Sequence, residues 1–172
     1  MTKPMPRQVA PSLSVPTVGG GQWTLADANP ENFQVIVFYR GLHCPLCKGY
    51  LGQLNDKIPE FRKRGVEVIA ISTDDEERAS QTAKDWGLDT VPVGYGLSEE
   101  NALQWGLYIS TGINDKEPAR FAEPGLFIVR PNGELYAASI QSMPFARPQF
   151  DELLQALDFV MNKDYPARGE AA

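Results

Sequence analysis

Hydrophobic and polar positions follow two rhythms along the chain. Residues 34–39 (Gln-Val-Ile-Val-Phe-Tyr) and 66–71 are short runs of aliphatic, β-branched and aromatic side chains, the pattern of strands buried on both faces. Between them Leu46, Tyr50, Leu51, Leu54, Ile58 and Phe61 recur on one helical stripe, Gly65 closes the stretch, and Pro59 is expected to bend it. Thr73 and Glu76 stand at capping-box spacing before a second helix that runs to Trp86 and stops at Gly87. Strand, helix, strand, helix is the rhythm of a parallel sheet with crossover helices.

Further on the pieces shorten. A short strand is expected over residues 91–95, then Ser98 as the N-cap of a brief helix through Trp105, with Gly106 as its stop. Residues 126–129 and 135–140 read as strands joined by Pro131-Asn132-Gly133, turn chemistry that implies an antiparallel hairpin and so a mixed sheet. After Pro148, Phe150, Leu153, Leu154, Leu157, Val160 and Met161 fall at helical spacing and predict a closing helix packed on the sheet. Residues 1–16, with Pro4, Pro6, Pro11 and Pro16, read as an extended, weakly ordered lead-in. Residues 17–162 then form one α/β domain, a central mixed sheet flanked by helices, and residues 163–172 a flexible tail.

Composition narrows the function classes. Apolar residues at 42% and charged residues at 22% are those of a folded globular chain. A net charge of -6 supplies no basic field for a phosphate backbone, which argues against nucleic acid as a partner. No segment approaches the roughly 20 apolar residues of a membrane span, and residues 1–16 lack the apolar stretch of a signal peptide, so the expected location is the cytoplasm. Trp23, Trp86 and Trp105 are read as core or rim residues, and the acidic run over residues 74–77 as the start of a helix that needs no metal. Gly49 and Gly52 each cost the first helix about 1 kcal/mol relative to alanine, which suggests close packing against them.

The chemistry concentrates at Cys44-Pro45-Leu46-Cys47, the chain's two cysteines, where a buried strand ends and a helix begins. Pro45 suits the first helical position, and the unsatisfied amides and positive dipole end there favour a thiolate on Cys44, the expected nucleophile. Cys47, one turn further in, is the expected resolving thiol, displacing the oxidised form of Cys44 as an intramolecular disulfide. Two blander readings stand beside this one. Cysteines are often buried and inert, and Cys44, Cys47 and the single histidine, His43, offer a zinc ion at most three ligands in one tight stretch. His43 is placed in sequence to act as a base or to tune the thiolate, although adjacent side chains on an extended stretch point apart, which favours a surface position.

The segment Tyr-Arg-Gly-Leu-His-Cys-Pro-Leu-Cys over residues 39–47 resembles the active-site segment of peroxiredoxin-like proteins of the alkyl hydroperoxide reductase and thiol-specific antioxidant (AhpC/TSA, redoxin) family, and the similarity extends over roughly residues 15–160. The resemblance implies a thioredoxin-like fold, reduction of peroxides or disulfides, no metal or organic cofactor, and regeneration by a thioredoxin-type or glutathione-type reductant. Family relatives often pair, so it also implies a homodimer. Cys44-Pro45 matches the peroxidatic Cys-Pro of that family. The pattern departs at Gly41 and Val37, where the family carries threonine and proline.

The family's arginine falls about where Pro124 stands, and Pro124 instead resembles the thioredoxin cis-proline. Such a bond would set the Glu123 backbone against the sulfurs to receive an extended substrate chain; the alternative is a trans proline opening a strand. Arg40, Arg147 in the loop over residues 142–147 and, more weakly, Arg120 are candidates to replace the missing arginine. Three functions remain: a two-cysteine peroxidase, a thioredoxin-like disulfide reductase, and a non-catalytic redox-sensing module docking through surface around Tyr108 and Phe145.

Overall fold

The structure, a computed structural model, describes residues 3–171. A hairpin of β1 (Ser14–Pro16) and β2 (Gln22–Thr24) leads, through one turn of 3-10 helix at Leu25–Asp27, into β3 (Phe33–Phe38). All six residues of β3 are buried, which is why its sequence is a continuous rather than an alternating apolar run. Helix α1 (Pro45–Lys63) then crosses to β4 (Val66–Ile71), which pairs in parallel with β3 from Phe33↔Val66 to Phe38↔Ile71. Helix α2 (Glu76–Asp85), β5 (Val93–Gly94) and α3 (Glu99–Gln104) follow. A small hairpin of β6 (Ile109–Thr111) and β7 (Arg120–Ala122) precedes β8 (Gly125–Val129), β9 (Leu135–Ile140) and α4 (Phe150–Lys163).

The main sheet runs β5-β4-β3-β8-β9, with β8 and β9 antiparallel to their neighbours, so it is mixed as expected. Because side chains alternate along a strand, β3 feeds two cores. Val35 and Val37 meet Leu51, Leu54 and Phe61 of α1 and Leu154 and Leu157 of α4. Ile36 and Phe38 meet Ile69, Ile71, Trp105 and Phe127 on the other face. Among the described residues no helix is long and apolar enough to cross a membrane.

Several local expectations are corrected. The N-cap of α2 is Asp75, whose side chain accepts the Arg78 N–H at 2.9 Å, because the helix starts at Glu76, two residues later than a Thr73 cap requires. Leu46 is 53% exposed: the buried stripe of α1 runs through Cys47, Tyr50, Leu51, Leu54, Asn55, Ile58 and Phe61, and Leu46 lies off it. Asn55 joins that stripe because its Oδ1 accepts the N–H groups of Thr90 and Val91, tying α1 to the segment before β5. Gly49 and Gly52 face open space, not the expected close packing. The strand over residues 91–95 shrinks to Val93–Gly94.

The lead-in and tail are docked segments rather than loose ones, residues 1, 2 and 172 lying outside the described residues. Arg7 N–H and Ala10 N–H donate to Leu135 O and Gly133 O, and Leu13 and Val15 are buried. Beyond α4, Tyr136 Oη–H donates to Tyr165 O at 2.8 Å and Arg7 Nε donates to Ala167 O at 3.0 Å. Prolines remove donors from the lead-in, and the N–H groups of Arg7, Gln8 and Ala10 find the carbonyls of Leu135, Met5 and Gly133.

Candidate active site

The site grows from the end of β3. After Phe38 the chain turns at Gly41, whose φ of +136° few side chains adopt and where a Cβ would lie 2.7 Å from Asp74 Oδ2. Asp74, 3% exposed, holds this loop from the end of β4: Oδ2 accepts the Leu42 N–H at 2.8 Å and Oδ1 accepts Arg78 Nε at 3.1 Å. A Cβ at position 41, a threonine's included, would collide with the carboxylate that braces the loop. Cys44 N–H donates to Gly41 O, Cys44 becomes the N-cap, and Pro45 takes the first helical position, where its missing N–H costs nothing.

Both cysteines are free thiols, Cys44 at 2% exposure and Cys47 at 0%. Cys44 Sγ accepts the Cys47 N–H at 3.2 Å, the contact expected of an N-cap side chain. The Cys44 thiol falls from its ordinary value of 9.0 to about 6. The Cys47 side chain donating to it is the largest cause, followed by opposing burial, the Cys47 N–H, and the charges of Arg147 and Arg40. Cys47 moves the other way, pushed up first by burial and then by the neighbouring Cys44 sulfur. The two sulfurs at the head of α1 are thus pushed in opposite directions, Cys44 towards the thiolate and Cys47 towards the thiol.

Arg40 and Arg147 both reach this pair, and Arg120 does not. Arg40 Nη2 donates to Glu123 Oε1 at 3.0 Å with Nε 2.9 Å from Oε2, and Ser110 Oγ–H donates to the same carboxylate at 2.6 Å. Arg147 Nη1 lies 3.4 Å from Cys47 Sγ and its guanidinium rests 4.3 Å from the Tyr50 ring centroid. Arg120 is exposed and tied to Glu99 of α3 at 2.7 Å, because β7 points it towards that helix. His43 is half-buried with its ring 4.5 Å from that of Phe121, and neither ring nitrogen has a hydrogen-bond partner. Burial holds its imidazole below the ordinary value, with no contact to either sulfur. Two guanidinium groups beside the sulfurs also make this a poor seat for a metal cation, as does the absence, among the described residues, of any cluster of three His, Cys, Asp or Glu.

Pro124 is a trans proline, since no described peptide bond is cis. The expected substrate-receiving backbone is also taken: the Glu123 N–H donates to Tyr108 O at 2.8 Å as the β6–β7 hairpin folds over it. Tyr108 and Phe145 are each 56% exposed, on the two loops flanking the site. The largest cavity described, about 780 Å3, is lined by Leu13, Leu25, Gln34 and Arg130 and opens at the other end of the sheet from the sulfurs.

A family model described as AhpC/TSA family matches residues 6–138. The chain belongs to the AhpC/TSA family. Among curated AhpC/TSA-like relatives, peroxiredoxin Bcp of Escherichia coli K12 is 34% identical over 76 residues, 44% of this chain and 48% of that one. The match therefore spans about half the length of that relative. A probable 1-Cys peroxiredoxin of Syntrichia ruralis is 26% identical over 81% of this chain and 74% of its own. In fold, the chain resembles AhpC of Mycobacterium bovis, with a TM-score of 0.76, 20% identity and 96% of both chains covered. It also resembles peroxidoxin BcpB of Mycobacterium tuberculosis, with a TM-score of 0.74, 17% identity, and 91% of this chain and 98% of that one covered. The fold is thioredoxin-like α/β.

Sequence reasoning missed Asp74, Glu123, Ser110 and Tyr50 as parts of this AhpC/TSA site. Asp74 had a usable signal: it follows a parallel strand adjacent to the one that carries Cys44, and sites in such sheets collect at those carboxyl ends. Ser110 and the Glu123 carboxylate had none, Glu123 standing out only for its backbone, because the hairpin that brings them together left no alternating apolar pattern.

Proposed function

We propose that this protein reduces peroxides through a dithiol–disulfide cycle in which Cys44 is the nucleophile and Cys47 the resolving thiol. The observation that carries the reading is the helix-capping Cys44 sulfur, which accepts the Cys47 N–H at 3.2 Å and whose thiol is lowered to about 6 by Cys47, Arg147 and Arg40. The thiolate attacks the near oxygen of the peroxide and the O–O bond breaks. With the proton released on ionisation, the products are a Cys44 sulfenic acid and an alcohol or water. Cys47 then closes the disulfide, which a thioredoxin-type or glutathione-type reductant reopens. The cytoplasm, where such donors keep dithiols reduced, suits the cycle, and a homodimer is the assembly the family favours.

Peroxide is preferred over polypeptide disulfides because the hairpin occupies the Glu123 N–H that an extended substrate chain would use. Rapid mixing with hydrogen peroxide tests the proposal. Oxidation of Cys44 should exceed that of a free thiol of equal pKa by about a hundredfold or more, and should vanish in Cys44→Ser. A rate no faster than the free thiol rejects it.

A further inference from the structure

Resolution asks for a thiolate at Cys47, the sulfur whose burial most opposes one. We propose that Arg147 is the catalytic residue of this resolving step, its guanidinium holding the negative charge on Cys47 Sγ as that sulfur attacks oxidised Cys44. The proposal rests on the cycle above and adds a second task for Arg147: its charge also lowers the Cys44 thiol, but its hydrogen bond goes to the second sulfur.

Geometry supports this assignment from several sides. Arg147 Nη1 points at Cys47 Sγ from 3.4 Å. The side chain is held in that direction by the Tyr50 ring beneath it, at 4.3 Å, and Tyr50 in turn stacks on Phe150, with centroids 4.4 Å apart. Its loop is pinned where Tyr50 Oη–H donates to Pro148 O at 2.6 Å, and Ala146 turns the chain with φ +59° just before it. Among the described residues Arg147 has no ion-pair partner, so no carboxylate draws its charge away. It also lies beyond residues 6–138, the stretch the family model matches.

The order of events gives Arg147 its moment. In the reduced protein Cys47 keeps its proton and donates it to the Cys44 thiolate, whose negative charge opposes a second ionisation. Oxidation of Cys44 to the neutral sulfenic acid removes that charge, while Arg147 and the Arg40 backbone N–H still face Cys47. Cys47 then attacks the Cys44 sulfur. The S–S bond forms, the S–O bond breaks, and the departing hydroxide takes the Cys47 proton and leaves as water. Cys44 sulfur is reduced, Cys47 sulfur is oxidised, and no outside reactant is consumed.

Single-turnover mixing of Arg147→Met and Arg147→Lys with one equivalent of hydrogen peroxide separates the two steps, with dimedone trapping the sulfenic acid and loss of the second thiol reporting the disulfide. In Arg147→Met, closure should slow about tenfold more than sulfenic acid formation, and excess peroxide should drive Cys44 to the sulfinic acid. Arg147→Lys should restore part of the closure rate, which a purely structural role would not require. A second arm avoids peroxide: with a thionitrobenzoate adduct preformed on Cys44, release of the coloured thiol by Cys47 should slow by the same factor. Equal slowing of both steps, or unchanged closure and thionitrobenzoate release, overturns the proposal. Slow peroxide chemistry in the unaltered protein, together with Arg147-dependent release of thionitrobenzoate, would instead sink the peroxidase reading alone.

Discussion

Two arginines flank the sulfur pair, and they are built differently. Arg40, just past β3, shares its charge with Glu123, a carboxylate 2% exposed and further held by Ser110. Arg147 comes from a loop, has an aromatic ring beneath it, and meets a sulfur rather than a carboxylate. A compensated guanidinium fixes positions and contributes little net field, whereas an uncompensated one contributes field and little stability. The order of influence on Cys44 agrees, with Arg147 acting more strongly than Arg40 although its hydrogen bond goes to the other cysteine.

The largest test of that contrast is stability. Glu123→Ala strands Arg40 without its partner and should cost about 3 kcal/mol in urea unfolding, while Arg147→Met should cost about 1 kcal/mol or less. Equal losses would erase the distinction. Next comes the floor between the two flanks: Gly41→Ala drives a methyl group into the Asp74 carboxylate at a positive φ and should cost about 2 kcal/mol.

Thiolate absorbance sharpens the comparison by charge. The reduced protein should show one thiol ionisation near pH 6, absent in Cys44→Ser, with Cys47 silent. Glu123→Gln frees the Arg40 charge and should move that midpoint lower still. Because the folded value lies below the ordinary 9.0, Cys44 adds stability relative to Cys44→Ser that is complete above pH 9 and lost as pH falls through about 6. The smallest effect belongs to a position that touches neither flank: Gly49→Ala, on open surface of α1, should raise stability by up to about 1 kcal/mol.

What the sequence made legible was the part governed by local rules. Buried strands, the stripe on α1, Ser98 as a cap and the Pro131-Asn132-Gly133 turn follow from spacing and residue type, and so does a cysteine at the head of a helix. Residues that act across the fold were not legible. Asp74 read as one acid in a helix-starting run, yet it braces a loop 32 positions away in sequence. Pro124 read as cis by its resemblance to the thioredoxin cis-proline, whereas it is trans, and the hairpin that precedes it has strands of three residues each, too short for any periodicity to register. Arg147 was distinguishable from Arg40 and Arg120 only once the loop was seen to lie on Tyr50.

The proline-rich first residues have a consequence of their own. Near Val9 the chain pairs beside Glu134 and Leu135 at the outer strand β9, and near Thr17 it pairs with Gly94 of β5, the outer strand on the opposite side. One strip of chain thereby covers β5 on one rim and the start of β9 on the other, and it is rich in a residue that cannot extend a ladder to a neighbour. Removing that strip would bare backbone of β5 and of the start of β9 at once, two openings for edge-to-edge pairing on opposite sides of the sheet.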